Sequence, residues 1–413
     1  MLLAKFLGVF FLFFKYKSYF CISEVNVFLM NNQKYKIVYC TPAIYSAGGT
    51  ERVVSFKANY FAEQFGYDVT IIVTEGNKGN SFFPLSEKVK VINLGLDFEN
   101  LWNKTFLKKV LLYLKKQRQY KRLLTNELLK IKPDITITTL RREINFINEI
   151  KDGSRKIGEL HLSRANYRGV EDREINLFRI MFSKWWKEDV ISNLQKLDRL
   201  IVLNENAVKE WPELSNIKMI PDPLPLDQKA KSNLQSKRIV TIGRYAYEKG
   251  YDYLLRIWAI VEKKCPDWQL NVYAMGDPTP YVKLMDELSI DKHRCHLNSS
   301  LVDVESEYQR SSILVQPSRT EGFGLVLVEA MACGLPVVAF DCENGPRSLI
   351  TDGEDGFLIP AYDIGKFSER LVSLMNDEKL RIEMGERGLA KSQKYHITKI
   401  AQQWKQLFEE LVG

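Results

Sequence analysis

The chain is poor in the residues that metal sites and disulfide frameworks require. Its 413 residues include six cysteines and four histidines. Cys21, Cys40, Cys265, Cys295, Cys333 and Cys342 form no Cys-x-x-Cys pair, and no histidine cluster lies beside them. Zinc needs close-spaced ligands, so this pattern argues against a zinc site. Several of these thiols fall in apolar runs, which fits buried, reduced cysteine in a cytoplasm. No convincing Asp-x-Asp pair offers itself to a divalent cation. No apolar run reaches the ~20 residues of a membrane helix. The apolar segment Met1 to Phe14 is closed by Lys15 and Lys17 and lacks a small-residue cleavage site, so it is a poor signal peptide. The polar stretch Asn31-Asn32-Gln33-Lys34 and the apolar Ile37-Val38-Tyr39-Cys40 follow, the ordinary opening of an α/β protein. Residues 1–29 therefore fit an extension or mispredicted start, with a weak membrane anchor as the alternative. Short internal repeats and low-complexity tracts are also missing.

What is present points to a large, two-part globular protein. At ~100–200 residues per domain, this length implies two domains. Apolar residues make up 45% of the chain, enough for a real core. The net charge of +8 admits nucleic acid, anionic lipid or anionic substrates and does not choose among them. Apolar β-type runs at Ile37–Cys40, Val69–Val73, Val89–Ile92, Ile135–Thr138, Lys156–Leu160 and Leu200–Leu203 alternate with helical patterns such as Glu51–Phe65. Continuous apolar strands separated by helices imply parallel sheets covered on both faces. The stiff Pro221-Asp222-Pro223-Leu224-Pro225 and the polar stretch after it read as a linker over 222–237. The alternation then restarts, with strands expected at Ile239–Ile242, Leu270–Met275, Ile313–Gln316, Pro336–Phe340 and Gly356–Ile359. Helices fit at Tyr251–Lys264, Tyr281–Leu288, Leu325–Cys333 and Lys366–Asn376. The expected fold class is α/β, with an N-terminal Rossmann-like domain over 30–221 and a C-terminal one over 238–390. Residues 391–413 form a last helix that crosses back to the first domain. Two such domains in series face each other across a cleft, and ligands bind at the carboxyl ends of the strands.

The most informative segment follows the strand Ile313–Gln316 and runs from Pro317 to Pro336. Gly322 and Gly324 let the backbone come close to a ligand. A helix starting near Gly324 points free N–H groups and its positive dipole end at that ligand, which suits phosphate. Glu321 lies before the helix and Glu329 inside it. One carboxylate at each end of an extended ligand suits the vicinal hydroxyls of a hexose and of a ribose, with a diphosphate between them. Arg244 and Lys249, in Gly243-Arg244-Tyr245-Ala246-Tyr247-Glu248-Lys249-Gly250, sit where the second sheet opens and offer charge to a departing diphosphate.

Together these residues resemble glycosyltransferase family 4. The resemblance rests on G-R-x4-K-G at 243–250, on E-G-F-G-L-V-L-V-E-A-M-A-C-G-L-P-V-V-A at 321–339, and on Asp352-Gly353-Glu354-Asp355-Gly356-Phe357-Leu358. In the first half, Ser46-Ala47-Gly48-Gly49-Thr50-Glu51-Arg52 and Phe82-Phe83-Pro84-Leu85 resemble the branch that builds capsular and amylovoran-type polysaccharides. The resemblance runs from about Lys36 to the C-terminus and is loosest between Asn100 and Leu200. It implies a GT-B fold, a nucleotide-sugar donor and retention of anomeric configuration, without metal or other cofactor. By motif position, Arg244 and Lys249 bind the diphosphate and Glu321 contacts the donor sugar. Backbone amides of Gly322, Phe323, Gly324 and Leu325 lie nearby, and Glu329 binds the ribose. Gly48 and Gly49 let the first domain approach the donor phosphates and the acceptor. His161 resembles the family's active-site histidine. Base recognition falls to backbone near Leu297–Leu301. Ser348 departs from the family, standing where many members carry Glu, which puts a donor-binding role there in doubt.

The expected activity is hexosyl transfer from a UDP-sugar, before a GDP-sugar, to a sugar or lipid-linked acceptor in bacterial surface polysaccharide biosynthesis. The alternatives are a nucleotide-sugar epimerase on the same fold and a non-catalytic nucleotide-sugar-binding protein. Glu321 either positions the donor or acts as nucleophile. Between Lys104 and Lys132 a helical pattern carries Lys108, Lys109, Lys115, Lys116, Arg118, Lys121, Arg122 and Lys130, with Glu127 the only acid. It fits an anionic membrane surface or a core-packed helix with a solvated basic face, and Trp185-Trp186 near Phe182 fits either setting too. The basic helix lacks interleaved aromatics and no nucleic-acid motif appears, so no nucleic-acid partner is expected. The expected location is the cytoplasm, free or peripheral on the inner face of the cytoplasmic membrane.

Overall fold

The structure is a computed structural model that describes residues 34–76, 80–101, 105–167, 188–226, 230–342 and 344–413. The extension at 1–29 and the Phe182, Trp185-Trp186 group lie outside the described residues.

The first domain runs β1 (Lys36–Thr41), α1 (Gly49–Gln64), β2 (Asp68–Val73), β3 (Lys90–Asn93), α2 (Phe106–Ile131), β4 (Ile135–Thr138), β5 (Arg155–Glu159), β6 (Arg199–Val202), α3 (Glu205–Glu210) and β7 (Ile217–Met219). Its seven strands pair in the order β3-β2-β1-β4-β5-β6-β7, and every pairing is parallel. Val38, Cys40 and Ile72 face one side of this sheet, while Ile37, Tyr39 and Ile71 face the other. Both sides are packed, which is why the central strands read as continuous apolar runs rather than alternating ones.

The second domain repeats the plan with β8 (Arg238–Arg244), α4 (Tyr251–Lys264), β9 (Gln269–Met275), α5 (Thr279–Glu287), β10 (Cys295–Asn298), α6 (Val304–Gln309), β11 (Ile313–Gln316), α7 (Leu325–Ala332), β12 (Val337–Asp341), α8 (Gly345–Leu349), β13 (Gly356–Pro360), α9 (Ile364–Asn376) and α10 (Glu378–Ser392). Six parallel strands pair in the order β10-β9-β8-β11-β12-β13. β7 and β10 lie outside the apolar runs of the sequence. Both are edge strands, short and interrupted by polar residues (Ile-Lys-Met and Cys-His-Leu-Asn), with most positions partly accessible.

The last helix, α11 (Ile397–Val412), leaves the second domain and packs on the first. Ile400, Trp404, Leu407 and Phe408 recur at helical spacing and join Tyr35, Phe61 and Tyr67 in one core cluster. The ring centroids of Phe61 and Phe408 lie 5.6 Å apart, edge to face. The outgoing linker runs beside this return: the Leu224 amide donates to the Tyr395 carbonyl at 2.8 Å.

Each sheet has one switch in strand order, between β1 and β4 in the first and between β8 and β11 in the second. Side chains from both sheets' carboxyl ends line a shared cleft of about 1170 Å³, which is where open parallel sheets bind ligands. Among the described residues no helix is long and apolar enough to cross a membrane.

Candidate active site

The loop 317–324 leaves the carboxyl end of β11 and turns into α7. Gly324 makes that turn with φ +92°, a backbone state that side chains with a Cβ rarely adopt. At Gly322 a Cβ would lie 2.1 Å from the carbonyl oxygen of His161. The two domains thus touch backbone to backbone there, and only glycine leaves room. Asn204 of the first domain also donates to the Gly322 carbonyl at 3.1 Å.

Glu321 sits in this loop with its side chain 10% exposed. Three donors converge on Oε1: Lys249 Nζ at 2.7 Å, Gln316 Nε2 at 2.7 Å and Ser318 Oγ at 2.6 Å. Burial pushes the carboxyl up, but Lys249 and the three hydrogen bonds outweigh it and hold the group below its ordinary range. Oε2 accepts from none of the described residues and remains available to a ligand.

Glu329, in the second turn of α7, is 1% exposed. Its two oxygens are engaged from opposite domains. Arg52 Nη1 of α1 pairs with Oε1, and Tyr308 of α6 donates to Oε2 at 2.8 Å. Burial outweighs both partners, so this carboxyl titrates above its ordinary value. Arg52 limits the rise.

Arg244 and Lys249 both line the cleft. Lys249 is tied to Glu321, while the Arg244 side chain is 52% exposed and, among the described residues, bonds Glu248 at 3.0 Å. Gly48 and Gly49 open α1 on the facing wall, and Phe323, Gly324 and Leu325 complete the near wall. Beyond β10, Ser300 and Leu301 also line the cleft. Ser348 bonds Asn206 across the domains at 3.3 Å.

His161 lies just beyond the end of β5, on the cleft wall. Both ring nitrogens face carboxylates: Nδ1 lies 3.3 Å from Asp222 Oδ2 in the linker, and Nε2 lies 3.4 Å from Glu159 Oε2. Burial opposes the imidazolium, yet Asp222 and Glu159 overcome it and raise its pKa to about 9. Glu159 in turn pairs with the buried Lys57 of α1. Lys57 lies 4.5 Å over the ring of Trp404 in the returning helix. This chain of charges joins the cleft wall to linker and α11. It also means that the imidazole is a cation held by two anions, not a free base.

Comparison with known proteins places this geometry. The family model described as "Glycosyl transferases group 1" matches residues 225–391. An uncharacterized glycosyltransferase of Haemophilus influenzae is 31% identical over 381 residues, spanning 90% of this chain and 99% of that protein. The chain belongs to the group 1 glycosyltransferases. The amylovoran biosynthesis glycosyltransferase AmsD of Erwinia amylovora is 25% identical over 386 residues, covering 90% of this chain and 98% of AmsD. Among solved structures, a variant of S. aureus TarM in complex with fondaparinux, alpha-GlcNAc-glycerol and UDP superimposes with a TM-score of 0.72. It is 16% identical and covers 91% of this chain and 99% of TarM. The fold is therefore GT-B, and the protein is a sugar-transferring enzyme with relatives in polysaccharide synthesis.

In this glycosyltransferase the residues singled out in the chain, from Gly48 and Gly49 to Arg244, Lys249, Glu321 and Glu329, line one cleft. Sequence reasoning gave no role to Arg52, Lys57, Tyr308, Gln316, Ser318, Glu159 or Asp222. Arg52 carried a faint signal, as a cation three residues past the paired glycines, and Asp222 another, as an acid between two linker prolines.

A raised histidine pKa has a definite consequence for stability. His161 contributes fully below about pH 6.5, its ordinary value, and its contribution is lost as pH rises through about 9. The stability gap between wild type and His161→Gln, measured by urea unfolding, is expected to narrow over that range. A gap that stays constant from about pH 6.5 to above about pH 9 contradicts the buried imidazolium.

Proposed function

We propose that this enzyme transfers a hexosyl residue, with retention, from a nucleotide diphosphate sugar to a sugar or lipid-linked sugar acceptor in bacterial surface polysaccharide synthesis. We assign it to family 4 and take UDP-linked donors before GDP-linked ones. The observation that carries this reading is the pair Glu321 and Glu329 on one loop-and-helix unit, with Lys249 and Arg244 beside them. The UDP held by TarM supports the choice of base.

In this reading Glu329 holds the ribose and Oε2 of Glu321 accepts from the donor sugar's hydroxyls. The first turn of α7, with Arg244 and Lys249, faces the diphosphate. The main barrier is charge separation between an oxocarbenium-like sugar and a leaving diphosphate. Fixed cations and backbone amides aimed at the leaving group lower that barrier, which gives these residues the role a divalent metal fills elsewhere. Glu321 acts as a positioning group: three donors on Oε1 draw charge from the whole carboxylate, and its free Oε2 is used to hold the sugar's hydroxyls. Retention then follows a front-face route, with a donor phosphate oxygen taking the acceptor proton. Gly48 and Gly49 admit the donor phosphates and the acceptor from the other wall, and apposed domains exclude water. His161, with both nitrogens engaged by carboxylates, acts as a positioning group that holds the wall facing the donor sugar against the Gly322 loop.

The donor is identified by thermal shift with UDP- and GDP-sugars in EDTA, on wild type and Glu329→Ala. Ligand at 100 times its Kd adds about 2.7 kcal/mol of stability. One nucleotide sugar is expected to stabilise wild type, with most of the gain lost in the variant. No shift with any donor sinks the transferase reading. Donor turnover without acceptor points to an epimerase, and binding without product to a non-catalytic protein.

We further place the enzyme on the inner face of the cytoplasmic membrane. On α2, Val110, Leu111 and Leu114 are 40%, 69% and 48% exposed, beside exposed Lys108, Lys115, Arg118 and Arg122. Each cation adds ~1 kcal/mol at an anionic surface, and Tyr113 of the same helix lines the cleft. Co-sedimentation is expected with phosphatidylglycerol vesicles and not with phosphatidylcholine. Leu111→Gln with Leu114→Gln should weaken it by at least about tenfold, from the lost burial of two side chains. Equal binding to both lipids contradicts this placement.

A further inference from the structure

Arg52 is a first-domain residue that the reading above leaves without a task. It stands in the first turn of α1, where its own amide donates to the Gly48 carbonyl at 3.1 Å. Its guanidinium touches three separate parts of the chain. Nη1 pairs with Glu329 Oε1 in the second domain, and Nη2 donates to the Pro225 carbonyl in the linker at 3.1 Å. Phe83 covers it, with the ring centroid 5.7 Å from Cζ, inside cation–π range. Phe83 belongs to the Phe82-Phe83-Pro84-Leu85 segment that precedes β3. The side chain is 14% exposed and lines the cleft.

A carboxylate offers about four lone-pair positions. Arg52 uses one on Oε1 and Tyr308 one on Oε2, which leaves one on each oxygen. Two vicinal hydroxyls need that arrangement. A buried carboxylate without a cation would take up a proton, turning one acceptor into a donor and spoiling the match.

We propose that Arg52 is a positioning residue for the donor: reaching across the cleft, it keeps the Glu329 carboxylate charged and oriented for the two ribose hydroxyls. Ribose recognition is then built from both domains, and is complete only when they are apposed. The inference rests on the reading of Glu329 as the ribose ligand.

The test is calorimetric binding of UDP and 2′-deoxy-UDP to the full chain, with GDP and 2′-deoxy-GDP in parallel. Wild type, Arg52→Gln and Arg52→Lys are compared. A hydrogen bond to a charged group is worth enough to make the wild type prefer the ribonucleotide by about tenfold or more. In Arg52→Gln the ratio is expected to fall to about twofold, because the neutral amide no longer holds the charge. Arg52→Lys keeps the charge without the fork, so it folds even where the Gln variant does not, and its ratio should be about threefold to fivefold. A purely structural Arg52 would weaken both nucleotides alike. Ratios equal to wild type in the variants overturn the proposal and leave Glu329 as the ribose ligand. A wild type that binds both sugars equally overturns the Glu329 reading and the proposal together. No binding of any of the four nucleotides overturns the donor reading itself.

Discussion

A carboxylate taken out of water must find a cation, and the cleft of this enzyme is organised around that requirement. Glu159, Glu321 and Glu329 are each largely buried, and each is paired with a cation from another element: Lys57, Lys249 and Arg52. Removing one partner of such a pair typically costs about 3–5 kcal/mol, because the other charge stays buried alone. The pairings therefore fix where elements sit. Helix α1 sends Arg52 across to the second domain and Lys57 into its own core. The turn before α4 sends Lys249 to Glu321. The linker, through Asp222, anchors His161.

The same requirement links the domains to each other. Two chain crossings lie side by side, the linker at Leu224 and the return near Tyr395. Around them Asn204, Asn206 and Arg52 reach the second domain. The cleft walls are thus held by polar contacts, which reorganise more readily than an apolar interface would. Apolar cohesion is strongest at α11, whose Trp404 and Phe408 are buried in the first domain, with Leu203 joining the second domain's cluster. In the proposed mechanism this division of labour lets the walls close on a donor while the hinge side stays fixed.

Much of the fold could be read from local pattern. Two-sided burial makes a strand such as Ile37–Cys40 uniformly apolar, and its neighbours shared that signature. Edge strands β7 and β10 lacked it, because a half-covered strand tolerates polar residues. In the site, the loop-and-helix unit was legible because its parts are neighbours in sequence: Gly322, Gly324, Glu321 and Glu329 lie within one turn and one helix. The partners of those carboxylates were not. Arg52 stands 277 residues from Glu329, and nothing local in either segment announces the other. His161 was legible as a position and not as a state, since its charge comes from Asp222 and Glu159, which only the fold assembles. Arg244 and Lys249 looked equivalent in the chain. The structure separates them, with Lys249 mostly covered against Glu321 and Arg244 half-exposed beside Glu248.

The central claim is that fixed positive charge beside Glu321 stabilises the leaving diphosphate. Steady-state kinetics of Lys249→Ala with the identified donor tests it most directly, with thermal melting to show that the variant is folded. If Lys249 acts on the transition state, kcat should fall by about 10²–10³. An unchanged kcat with only a raised donor KM would mean that Lys249 merely holds Glu321 and the donor in place, and would contradict the claim.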